Sequence, residues 1–363
     1  MKKVLAINSG SSSFKFKLFS LPDEKVVAFG MADRVGLPGA SFKIALQDGN
    51  EHIEHVEVPD QEAAVSLLLK ALKKYHVVED LNEIVGVGHR VVSGGEIFKD
   101  STVVDQEVLQ KIKDLSNFAP LHNPAEARGI EAFMHVLPKV PQVAVFDTSF
   151  HQTLDPVHYL YSIPYDYYKE YGARKYGAHG TSVHYVTLEA AKMMKKDLKD
   201  LKLITCHLGS GSSITAVKNG KSYDTSMGFS PLSGITMGTR SGDIDPSLLQ
   251  HLMHETGISM NEMINILNKK SGLLGISGIS SDMRDLKYNK NPRAVLARKI
   301  FLNRIVRYIG AYIAEMGGVD GIVLTAGVGE GDVGMRQAIM DAFKYMGVNP
   351  DYEANKSNGQ KFI

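Results

Sequence analysis

The sequence predicts an α/β protein of two lobes, each a mixed sheet flanked by helices. Runs with the period of a strand alternate with runs of helical period along the chain. A unit of strand, glycine-serine loop and strand opens the chain and returns near its middle. With 363 residues the chain is also too long for one typical core.

The elements follow in order. Residues 4–7 form a short buried-strand run, ended by Asn8-Ser9-Gly10-Ser11-Ser12-Ser13. Phe14, Phe16 and Leu18 then alternate with Lys15 and Lys17, which predicts a second strand. Helical spacing predicts helices over 61–75, 105–115, 124–136, 183–195, 246–256 and 260–268, with strands over 84–92 and 143–146. Residues 203–206 lead into His207-Leu208-Gly209-Ser210-Gly211-Ser212-Ser213, followed by a strand over 214–217 and an Asn219-Gly220 hairpin turn. Aligning Gly10 with Gly211 matches Ser9 with Ser210, Ser11 with Ser212 and Ser12 with Ser213. We read this as a duplicated unit, and on that repeat alone place the lobes at 1–150 and 151–363. A helix over 292–316 ends at Gly317-Gly318. After it comes a third strand-to-glycine turn: residues 322–325, then Ala326-Gly327-Val328-Gly329-Glu330-Gly331.

Composition narrows the function classes. Lys and Arg (41) nearly balance Asp and Glu (40), a formal charge of +1, so no basic face for nucleic acid is expected. No apolar run is long enough for a membrane span, and the apolar run after Lys3 is too short for a signal-peptide core. One cysteine, Cys206, excludes an intramolecular disulfide and fits a reducing compartment. The expected location is the cytoplasm, with small molecules as partners.

Several residues stand where chemistry is done. Gly/Ser loops between strands let backbone N–H groups converge on an anion, and three such loops could hold successive phosphates. None is a Walker sequence. His122 precedes Asn123-Pro124-Ala125-Glu126, which predicts a helix start with Asn123 as cap and Glu126 closing a box. Arg240 lies in the loop Gly238–Gly242, before Asp245 as cap and Pro246 as first helical residue. Asp147 follows a buried strand directly, where α/β ligands bind. Arg90, beside His89 within a strand of Val and Gly, must face solvent, a carboxylate or a ligand. His179 precedes the helix expected near Val183. Two Arg, several His, a carboxylate and anion-cradling loops suit phosphoryl transfer, which needs positioning and charge stabilisation more than covalent chemistry.

Eight ordered blocks carry a resemblance from residue 1 to about 350: NSGSSSFKFKLF, GHRVVSGG, FDTSFHQTL, YGAHGTS, HLGSGSS, MGTRSGDIDP, SGISSDMRDL and TAGVGEG. In these the chain resembles the acetokinase family, of the acetate and sugar kinase, heat-shock ATPase and actin superfamily. The resemblance implies two actin-like (ribonuclease H-like) lobes with a cleft between them. It implies a kinase that moves the γ-phosphoryl group of ATP to acetate, with ATP/ADP as co-substrate and Mg²⁺ or Mn²⁺ as cofactor. Arg90 and Arg240 would bind the phosphoryl group, and His179 would donate to its oxygens. Asp147 would orient or deprotonate the incoming carboxylate, or hold the metal through water. Asn8 would belong to the metal and phosphate loop, Lys15 would approach the nucleotide, and His122 with His207, Leu208, Gly209, Ser210 and Gly211 would line the phosphate path. Asp282, Met283, Arg284 and Gly327, Val328, Gly329, Glu330 and Gly331 would hold the nucleoside. Val92, Leu121 and Pro231 would form the pocket for the acid's methyl group.

The family usually has Phe where this chain has Ala178, which implies a roomier pocket. It also continues beyond the position of Ile363 with a strand, an acidic stretch bearing a metal-organising Glu, and a helix that returns to the first lobe. A homodimer through the second lobe is implied too. Two other readings remain open on the residues: a propionate or other short-chain carboxylate kinase, and a nucleotide-binding protein of weak ATP-hydrolysing activity for want of that segment.

Overall fold

The computed structural model describes residues 1–119 and 122–363. The chain divides into two units, Met1–Ser149 and Phe150–Ile363.

The first unit holds an eight-stranded sheet: β1 (Lys3–Ser9), β2 (Ser13–Ser20), β3 (Lys25–Asp33), β4 (Ser41–Leu46), β5 (Glu51–His55), β6 (Ile84–Val91), β7 (Thr102–Val103) and β8 (Gln142–Phe146). The spatial order is β5-β4-β3-β2-β1-β6-β8-β7. β1 runs antiparallel to β2 but parallel to β6, and β6 runs parallel to β8, so the sheet is mixed. Helices α1 (Gln61–Lys74), α2 (Gln106–Asp114) and α3 (Asn123–Val136) cover it. Inward residues of the strands, Leu5, Ile7, Phe14, Phe16 and Leu18, bury against Val65, Leu68 and Leu72 of α1. The period-2 pattern that predicts β2 is therefore the pattern of its burial. Gly129 lets α3 approach the end of β1: a Cβ there would fall 2.3 Å from Ser9 Oγ.

The second unit holds β9 (Lys202–Leu208), β10 (Ser212–Lys218), β11 (Lys221–Thr225) and β12 (Gly321–Thr325) in the order β11-β10-β9-β12. Again the first strand pairs antiparallel with the second and parallel with the last. The order β3-β2-β1-β6 of the first unit is thus repeated. Cys206, in the middle of β9, is fully buried between Ile214 and Leu324, and burial pushes its thiol pKa up. The helix Pro292–Met316 packs on this sheet through Ala294, Ala297, Phe301, Ile305, Ile309 and Tyr312, a stripe at helical spacing. Gly317, left-handed at φ 68°, ends it.

Two sequence expectations need correction. β1 and β9 end at Ser9 and Leu208, so Gly10 corresponds to Gly209 rather than Gly211. In a stretch made almost wholly of Gly and Ser, an alignment slides by two residues at no cost. The third glycine turn is also not a loop. Residues Ala326–Gly331 form a short helix, whose start is held by Glu330 accepting from the Ala326 N–H and the Thr325 hydroxyl, both at 3.0 Å.

Two fully buried histidines make the fold acid-sensitive. His89 bonds Gln142 at 2.8 Å and is depressed by burial to about 4; His151 bonds Ser222 at 2.8 Å and is depressed by burial to about 3. Below the unfolded value of about 6.5 the unfolded chain takes up the protons first, so stability falls with falling pH down to the folded values. Each histidine contributes a slope of up to ~1.4 kcal/mol per pH unit. Urea midpoints measured from pH 7 to 4.5 should fall, and His89→Gln should flatten the curve; a midpoint unchanged over that range contradicts the assignment.

Candidate active site

In the first unit the end of β6 brings three predicted residues together. Arg90 donates to Asp147 Oδ2 through Nε at 2.9 Å and Nη2 at 2.6 Å, and through Nη1 to Asn8 Oδ1 at 3.3 Å. Asp147, directly after β8, is buried, and its N–H donates to Val91 O at 2.9 Å. Parallel pairing of β1, β6 and β8 places all three on one end of the sheet, the carboxyl end where α/β ligands bind. Arg90 is a cation pinned through Nε, Nη1 and Nη2, with its side chain 36% exposed. Lys15, opposite Asn8 in the β1–β2 register, is exposed.

The start of α3 differs from the expected capping box. Its cap is His122, with no side-chain cap bond, and Asn123 is already inside the helix. Asn123 Oδ1 instead accepts the Ser93 N–H at 3.0 Å, and Glu126 Oε2 accepts the Val92 N–H at 2.9 Å. Glu126 is a site neighbour that the sequence reading missed, because its spacing from Asn123 reads as local helix chemistry. Burial raises its pKa to about 8 despite the Val92 bond and Arg90, which lower it. Leu121 lies outside the described residues.

The second unit assembles another cationic corner. His179 caps the helix Gly180–Met194, three residues earlier than the start expected near Val183. Its ring stacks on His207 at 4.1 Å and 18°. Nδ1 of His179 bonds Ser213 Oγ at 3.0 Å, and Nδ1 of His207 bonds Ser182 Oγ at 2.9 Å, so each ring turns Nε2 away from its serine. Arg240 Nη1 donates to Pro231 O at 3.3 Å. A Cβ on Gly211 would meet Arg240 Nη1 at 3.2 Å and His179 Nε2 at 3.5 Å, so the bare glycine lets both groups face the same spot. Gly238 N–H donates to Ser210 O at 3.1 Å, which ties the Arg240 loop to the glycine loop. Asp245 caps its helix through the Ser247 N–H at 2.8 Å, with Pro246 first, as the sequence predicts. Ala178 packs in a small apolar cluster with Met227 and Met237.

The predicted nucleoside residues are placed less directly. Arg284 is exposed and folds back on Asp282 at 2.6 Å. The Met283 and Leu208 side chains belong to the core, leaving only their main chains for a ligand. Gly327, Val328, Gly329 and Gly331 lie in the short helix after β12, and Glu330 is spent on its start.

Asn8 and Asp147 offer hard oxygen donors, the chemistry of Mg²⁺. Both already accept from Arg90, so they fit an ion held largely by water and phosphate oxygens rather than by a protein cage. Among the described residues, His158, Asp224 and Glu315 also lie within one ion's reach of each other, with the Lys175 ammonium already 2.5 Å from Asp224. No helix among the described residues is long and apolar enough to cross a membrane.

A model of the acetokinase family matches residues 3–363. The chain is 55% identical to the acetate kinase of Limosilactobacillus fermentum and 52% identical to that of Bacillus subtilis, covering 99% of this chain and 92% of each relative. Among solved structures, the acetate kinase of Porphyromonas gingivalis superposes with a TM-score of 0.94 at 42% identity, covering 99% of this chain and 92% of that one. A propionate kinase from Francisella tularensis superposes at 0.93 with 37% identity, covering 100% and 94%. The two repeated sheets are those of the actin-like fold, and the chain belongs to the acetokinase family.

Proposed function

We propose that the protein is an acetate kinase, transferring the γ-phosphoryl group of ATP reversibly and in line to acetate to give acetyl phosphate and ADP. The observation that carries this reading is the Arg240–His179 corner over Gly211. Arg240 Nη1 and His179 Nε2 both lie close to the bare face of Gly211, and the hydroxyls of Ser213 and Ser182 beside them hold the His179 and His207 rings. Such a site stabilises charge on a group in flight rather than forming a covalent intermediate. In this reading Arg240 and His179 take the equatorial oxygens of the phosphoryl group, while Arg90, held by Asp147 and Asn8, takes the carboxylate end. Fixed donors avoid reorganisation as charge moves from the nucleotide to the acyl oxygen. His207, His122 and the 208–211 turn line the phosphate path; Lys15, residues 282–284 and residues 327–331 attend the nucleotide. Mg²⁺, or Mn²⁺ in its place, would neutralise the nucleotide's phosphates, near Asn8 and Asp147.

Purified protein given Mg-ATP, acetate and hydroxylamine should accumulate acetohydroxamate. Phosphate release without hydroxamate would instead mark an ATP hydrolase.

In this reading Ala178 lies at the rim of the acyl pocket, and its small side chain favours room for a longer acid. One methylene in an apolar pocket is worth only about 1–3 kcal/mol, so propionate should be used with kcat/KM within about a hundredfold of acetate. Ala178→Phe should lower propionate kcat/KM relative to acetate by a further ~10-fold. An unchanged ratio removes Ala178 from the pocket.

We assign the protein to the cytoplasm, as a homodimer through the second unit. Val157, Ile163, Tyr165, Tyr167 and Tyr171 are all exposed on one short stretch, a large apolar area for a free surface. Light scattering should give twice the chain mass; a monomer at micromolar concentration contradicts it.

A further inference from the structure

We propose that Glu126 is a positioning residue of the acyl-substrate site, holding the Val92 amide from the first turn of α3 and so fixing the wall that the acid's apolar end meets. The inference rests on the function proposed above and deepens it.

β6 ends at Val91, so the N–H groups of Val92 and Ser93 lie beyond its last strand position. Both are buried, and a buried N–H without a partner is costly. α3 supplies both partners, Glu126 to Val92 at 2.9 Å and Asn123 to Ser93 at 3.0 Å, with Asn123 Nδ2 returning to Ser93 O at 3.0 Å. On the other side Val91 O accepts from Asp147, whose carboxylate holds Arg90. The stretch 90–93 is therefore gripped from both sides, and Glu126 is the grip on the residue assigned to the pocket.

Glu126 spends its reach on this contact rather than on its own helix. A carboxyl group, 2% exposed, serves a single backbone donor three residues past the start of its helix. Arg90 and Asp147 both act on it electrostatically, with opposite signs. Burial favours the neutral acid, which lessens the repulsion that an incoming carboxylate would meet beside the Arg90–Asp147 pair. Gln reproduces both the oxygen and the neutrality; Ala removes the oxygen.

The test uses the full chain as parent, Glu126→Ala and Glu126→Gln. Loss of a partner for one buried N–H predicts that E126A raises acetate KM about tenfold, with ATP KM within about twofold of the parent. E126Q should recover most of that loss. Acetate KM unchanged in E126A, or both KM values rising together, or no recovery in E126Q, each overturns the proposal. Hydrogen exchange of a peptide spanning residues 90–94 is read in parallel. It should speed up about tenfold in E126A and not in E126Q. If the parent makes no acyl phosphate the functional reading fails; equal exchange in all three proteins then overturns the positioning claim by itself, and fast exchange in E126A alone supports its structural part.

Discussion

Arg240→Ala and Arg90→Ala each lower turnover by about 10²–10³, with thermal stability close to the parent for Arg240→Ala. This is the scale for removing one preorganised donor from a transition state that gathers negative charge. The two variants should differ in character. Arg240 is anchored by Pro231 O and aims over Gly211, so its removal acts mainly on kcat. Arg90 is pinned by Asp147 and Asn8, so its removal should raise acetate KM as well. Lys at either position restores the charge but not the planar fork, and should recover less than a tenth of the lost activity. Turnover within about fivefold of the parent for both alanine variants contradicts their assignment.

Asp147→Asn lowers turnover by about 10², through Arg90 rather than through direct contact alone. One Asp147 oxygen accepts two guanidinium N–H groups. Asn keeps the shape and an acceptor but removes the charge, leaving Arg90 unpaired over a buried floor. The stability loss should be about 2 kcal/mol, below the ~3–5 for a fully buried pair because Arg90 keeps contact with water. A double-mutant cycle with Arg90→Ala separates the possibilities. If Asp147 acts by holding Arg90, the second substitution adds little to the first. Fully additive losses would show two independent roles.

Legibility in the sequence followed the range of the forces involved. Burial periodicity is local, so β1, β2, β6 and the helix 292–316 could be read within a residue or two. β3, β4 and β5 could not, because in Glu51–His55, at a sheet edge, His52 and Glu54 are half-buried while the apolar Ile53 is exposed, and Gly30 interrupts β3. Cap chemistry was readable at Asp245-Pro246, where the acceptor serves its own helix. It misled at Asn123 and Glu126, whose partners lie about thirty residues away across the sheet. Similarly, Arg90 could be read as needing a counter-charge, but nothing local names Asp147. The serines that orient His179 and His207 were visible only as parts of small-residue loops. Side chains that act within their own turn announce themselves; those that reach between elements do not.

Cys206 gives the second unit a clock of its own. Alkylating reagents need a thiolate, and this one sits under zero solvent exposure in a ladder held on both flanks. Modification can proceed only when that ladder parts. Its rate, followed by mass under native conditions, therefore times the rarest opening of the lobe with no foreign probe attached, and any ligand gripped by the lobe would slow it.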